Sequence, residues 1–150
     1  QLIVVLTLIS ALMVTLVTDL KYYYISDRVI VVSSSLVALT YLKFLGVNSF
    51  LTHILSGTLM FILMYLLKII TTKIFKKESL GDGDIKLMIL IGLTLGVFNS
   101  FISLFISSAT ALIYTILFIK KKDSLIPFGP FLLIGAIVTY ILVFYQITII

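Results

Sequence analysis

The chain has 150 residues, 61% of them hydrophobic and 11% charged, with a net charge of +5 and a mean hydropathy of +1.29. Too little polar surface exists to cover a soluble domain of this size, which leaves a polytopic membrane protein of helices whose backbone satisfies its own hydrogen bonds. With no cysteine and a single histidine, His53, disulfides, thiolate chemistry and a histidine-rich metal centre are excluded.

The apolar runs predict six transmembrane helices over 2–18, 29–47, 50–67, 85–98, 100–119 and 128–150, in one membrane-embedded domain spanning 1–150. The first run lacks the basic n-region and small-residue cleavage site of a signal peptide. It ends at Asp19, and Tyr22, Tyr23 and Tyr24 then form an interfacial aromatic anchor. The connection after the first span holds Lys21 and Arg28. The third holds Lys68, Lys73, Lys76, Lys77 and Lys86, and the fifth Lys120, Lys121 and Lys122. The second and fourth hold only Lys43, so ten of the eleven basic residues fall on one side. That side is cytoplasmic by the positive-inside rule, and both termini face outward. The basic residues are thus topology signals beside apolar spans, which argues against a nucleic-acid partner. All six acidic residues lie on the same side. His53 falls on the outer side and reads as a surface residue.

The fourth run is short. Its roughly twelve apolar residues make a helix of about 18 Å, against a bilayer core of about 30 Å. Either the helix begins near Gly81 and carries Asp84 below the interface, or the site is wet and locally thinned. Gly92-x-x-x-Gly96 further along allows close approach of two helices, and Ser33 to Ser35 and Ser107 to Ala109 suit the same packing.

Two carboxylates stand out against this background, Asp19 and Asp84. A carboxylate beside hydrocarbon is costly to keep ionised and usually has a functional reason to be there. Two of them from distant segments on one side of the membrane point to a shared site. Paired carboxylates divide one proton between them and activate water, the chemistry of aspartic proteolysis. Around Asp84, Gly81 and Gly83 would let the backbone adopt positive φ and come close to an extended substrate. Pro127-Phe128-Gly129-Pro130 reads equally as a rigid turn supporting the site and as a plain helix start. Lys21 and Lys86 snorkel toward headgroups, with a minor part in tuning the pair. Asp27, Glu78 and Asp82 read as a solvated interfacial loop.

Gly81-x-Gly83-Asp84-x-Lys86-Leu87 resembles the GxGD signature of membrane-embedded aspartic proteases. Three stretches together resemble the type IV prepilin peptidases: Asp19 followed by Ile25, Glu78 through Leu87, and Ile126-Pro127-Phe128-Gly129-Pro130 opening the last span. Ser26 stands where that family usually has proline, and the cysteine-containing region associated with methylation in larger members is missing. The resemblance implies an aspartic endopeptidase of the bacterial cytoplasmic membrane with Asp19 and Asp84 as catalytic pair and no methyltransferase activity. It implies no metal or organic cofactor. Its partners would be membrane lipid and type IV prepilin or pseudopilin precursors, cut after a short basic leader that Asp27, Glu78 and Asp82 would attract. A preflagellin-type peptidase and, from another class, a small proton- or cation-coupled transporter subunit are the alternatives.

Overall fold

In the computed structural model, which describes residues 2–76, 80–118 and 127–149, the chain is all-helical. Four helices follow one another: α1 (Leu2–Tyr22), α2 (Asp27–Phe75), α3 (Asp82–Phe118) and α4 (Gly129–Ile149). The sequence predicts six separate helices; the difference lies in α2 and α3, which are continuous through positions where breaks are expected. Each contains one non-helical glycine, Gly46 (φ 83°, ψ 173°) in α2 and Gly96 (φ 74°, ψ 174°) in α3. This backbone region is essentially closed to other residues, because a Cβ would clash with its own chain.

Both glycines reverse the chain. Tyr41 and His53 lie on opposite sides of Gly46, and twelve residues of straight helix would separate them by about 18 Å. Their ring centroids are 4.4 Å apart. Across Gly96, the Ser100 hydroxyl donates to the Ile91 carbonyl at 3.3 Å, where straight helix would leave about 13 Å. So α2 and α3 are helical hairpins, with legs at 27–45 and 47–75, and at 82–95 and 97–118.

A reversal with no loop strands the last carbonyls of the first leg, and side chains satisfy them. In α3 the Tyr41 hydroxyl donates to Thr94 O (2.7 Å) and Asn99 Nδ2 to Leu95 O (3.1 Å). His53 Nδ1 donates to Leu93 O (2.8 Å), since a carbonyl only accepts. His53 is therefore a half-buried cap for the α3 bend and not the surface residue the sequence suggests. Tyr41, His53, Asn99 and Tyr140 also line a cavity of about 440 Å³ at this end.

The first leg of α3 is the central stave. Ile85, Leu87, Met88, Leu90 and Ile91 are all at most 2% exposed, whereas large apolar residues of α1 and α2 such as Leu2, Met13, Val31 and Leu55 face outward. That inversion, apolar outside as well as inside, is what lipid as solvent demands. Leu2–Tyr22, Asp27–Ile74 and Asp82–Phe118 are long and apolar enough to cross a membrane, and α4 has a shorter apolar stretch over Gly129–Val143.

Glycines set the closest crossings. A Cβ on Gly92 would stand 2.8 Å from Gly57 Cα and from Ser56 O, so α2 and α3 touch backbone to backbone. The partner of Gly92 is thus Gly57, and Gly96 serves the bend instead of a shared packing face. Gly135 of α4 likewise packs on Ser103 and Ser107 of α3, with no room for a Cβ.

Candidate active site

The end of the bundle opposite the bends collects the two aspartates. Asp19 lies in the last turn of α1, 6% exposed. The N–H of Gly129 donates to its Oδ2 at 3.0 Å. Gly129 opens α4, where the first N–H groups lack partners within their own helix, and Asp19 takes the place of a capping side chain. A negative charge there also meets the positive end of the helix dipole. Any Cβ on Gly129 would come within 2.6 Å of Ile25 Cδ1, 3.0 Å of Asp19 Oδ2 and 3.1 Å of Thr15 Cγ2. The Pro127–Pro130 stretch is therefore a helix start, and its glycine N–H supports Asp19 directly.

Asp84 occupies the third position of α3, and Gly81 precedes the first. The Asp84 carboxylate lies beside the Gly81 backbone, and Gly81 O accepts the Ile85 N–H at 3.3 Å. That Ile85 bond is the first i→i−4 bond of α3, and glycine at the N-cap leaves the Asp84 side chain as an acidic group of the first turn. α3 begins at Asp82, next to the Gly81 start that the sequence offers for the short fourth span.

Gly81 and Gly83 do not take the positive φ that the sequence suggests for them, whereas Gly46 and Gly96 do. Gly83 sits inside the helix, so it offers no open backbone edge for a substrate strand. Its value is space: a Cβ would lie 2.8, 3.1 and 3.2 Å from Cβ, Cγ1 and Cδ1 of Ile25. Ile25, 5% exposed, therefore fills the gap between Gly83 of α3 and Gly129 of α4. It comes from the short non-helical stretch 24–26 joining α1 to α2.

These contacts bring Asp19 and Asp84 within coulombic reach of each other. Each carboxylate lies at a helix N-terminus beside a glycine, Asp19 accepting the Gly129 N–H and Asp84 lying beside Gly81, which leaves other lone pairs for a water or a second polar group. A proton shared across such a pair supports general acid–base chemistry on a bound water.

The remaining predicted residues are distributed differently than expected. Lys86 Nζ bonds both carboxylate oxygens of Asp27, at 2.8 and 2.9 Å, and Lys68 Nζ meets Asp82 Oδ1 at 2.6 Å. Lys86 thus holds Asp27 instead of snorkelling, and Asp27 and Asp82 are paired within the chain. Glu78, Lys77 and Lys120 to Lys122 lie outside the described residues. Lys21 Nζ lies 5.4 Å from the centroid of the Tyr22 ring, and Tyr22, Tyr23 and Tyr24 are exposed as an interfacial anchor requires. Among the described residues no group of three or more His, Cys, Asp or Glu side chains could hold a metal ion.

Sequence reading missed Thr15 and Lys68. Thr15 stands one turn before Asp19, 1% exposed, and its hydroxyl has no hydrogen-bond partner. Its i, i+4 relation to Asp19 was the available signal. Lys68 carried none, because its partner is fixed only by how α2 returns along α3.

A family model described as the type IV leader peptidase family matches residues 6–116. The match takes in Asp19, Asp84 and both glycine bends. No curated protein and no solved structure matches the chain significantly.

Proposed function

The chain belongs to the type IV leader peptidase family, and from that premise we propose that it is an aspartic endopeptidase acting through Asp19 and Asp84. The observation that carries this reading is the convergence of those two residues at one end of the bundle, Asp19 bonded to the Gly129 N–H and Asp84 beside Gly81 at the start of α3. The substrate we infer is a type IV prepilin-like precursor, cut at the junction of its short basic leader and its apolar helix.

In the proposed mechanism a water lies between the carboxylates. The ionised partner takes a proton from the water as its oxygen attacks the scissile carbonyl. The protonated partner donates to the developing oxyanion, and a proton then reaches the leaving amine. The two groups titrate as one unit, so the roles belong to the pair.

For topology, each hairpin crosses the bilayer twice and α1 and α4 once, giving six crossings with both termini outward. The lysines paired to Asp27 and Asp82 lie at the aspartate end, and the positive-inside rule assigns that end to the cytoplasm of a bacterial cell.

Co-expression with a prepilin tests the proposal, following leader loss on a gel for wild type, Asp19→Asn and Asp84→Asn. Cleavage by wild type and by neither variant is the expected pattern. Equal cleavage by the variants would overturn the two-aspartate mechanism. Wild-type protein that folds in the membrane and leaves every prepilin intact would overturn the substrate class.

A further inference from the structure

The first turn of α3 carries Asp84 between two residues that are each tied to α2, at different points. Asp82, two positions before, is held by Lys68 from the second leg of α2 at 2.6 Å. Lys86, two positions after, holds both oxygens of Asp27, the residue that opens the first leg. Asp27 directly follows the stretch 24–26, whose Ile25 packs between Gly83 and Gly129. The circuit is short: chain from Asp19 to Asp27, ion pair to Lys86, chain back to Asp84.

The Lys86 and Asp27 side chains are 44% and 57% exposed. Exposed pairs of this kind contribute little to global stability, so their consequence is geometric. Ile25 is buried against two glycines, and the ion pair adds a second fixing point of the connection on α3, at the first residue of α2.

We propose that the Lys86–Asp27 ion pair is a positioning element of the active site, clamping the α1–α2 connection onto the first turn of α3 and so setting the separation of Asp19 and Asp84. This rests on the two-aspartate reading above. It also assigns Asp27 a role within the chain in place of attraction for a basic leader.

The test uses the full chain in phosphatidylethanolamine–phosphatidylglycerol vesicles with a prepilin substrate. Lys86→Glu and Asp27→Lys are each expected to lower kcat about 10- to 100-fold, as displacement of reacting groups by about an ångström does. KM should stay within about twofold, because substrate binding is not what is lost. The double swap restores kcat to within about fivefold, and Lys86→Arg retains it, since an opposite-charge pair persists in both. Hydrogen–deuterium exchange over residues 80–90, measured without substrate, should speed up in the single variants and recover in the swap.

Single variants with wild-type kcat and exchange would overturn the proposal, as would a folded double swap that recovers neither. A rise in KM for Asp27→Lys that disappears with a leader stripped of Lys and Arg would assign Asp27 to substrate binding instead. An Asp84→Asn control that still cleaves sinks the catalytic pair and leaves the exchange data to judge the clamp alone.

Discussion

Replacing Gly83 with alanine adds a single methyl group beside the candidate site, and its effects on stability and on turnover should separate. The new Cβ would stand 2.8, 3.1 and 3.2 Å from three carbons of Ile25. Carbon atoms settle at about 3.5–4.0 Å, so Ile25 must retreat by roughly 0.7–1 Å. The nearest of the three carbons is Ile25 Cβ itself, so rotamer adjustment cannot relieve the clash and the backbone of 24–26 must move. Overpacking of this kind costs about 1–3 kcal/mol. Alanine recovers up to about 1 kcal/mol over glycine within a helix, leaving a net loss of roughly 0–2 kcal/mol. Catalysis has no such offset: a shift near 1 Å between reacting groups is associated with a loss of about 10²-fold, or about 2.7 kcal/mol in the barrier. Purified Gly83→Ala should therefore melt within a few degrees of wild type yet turn over a prepilin about a hundredfold more slowly. A folded Gly83→Ala with wild-type kcat would refute the reasoning that a displaced Ile25 shifts the carboxylates.

Three other outcomes follow from single contacts. Ser26 has φ −71° and no side-chain cap bond, so Ser26→Pro should fit and stabilise by about 0.4–1 kcal/mol through the unfolded chain, seen as a higher melting temperature in detergent. Tyr41→Phe leaves the buried Thr94 carbonyl without its 2.7 Å donor and should cost about 1–3 kcal/mol in the same melt. Gly96→Ala meets open space but retains φ 74°, so the expected cost is backbone strain of about 1–3 kcal/mol; an unchanged melting temperature would show that the bend tolerates a side chain.

Much of this architecture was legible because lipid imposes simple rules. Apolar run lengths located the helical legs, and clustered lysines separated the two ends. Asp19 and Asp84 stood out because carboxylates are rare in such a chain. What the sequence hid were relations across the bundle. Glycine announces either positive φ or close approach, and a single chain does not say which. Gly83 read as the first kind and is the second, while Gly96 read as packing and is a bend. Gly92 needed Gly57, and Asp27 needed Lys86, partners 35 and 59 positions away. His53 read as a surface group because its partner is a main-chain carbonyl, which leaves no trace in residue identity.

The hairpin bends make the two faces of the protein unequal. At Gly46 and Gly96 one residue turns the helix back on itself, so neither reversal puts a loop into the surrounding water. A protease, antibody or labelling reagent confined to that side would find almost no chain to grip at either bend. An epitope inserted there would have to unwind a helical turn and strand its capped carbonyls. Accessibility mapping should therefore reveal the protein from the aspartate side and pass over both bends in silence.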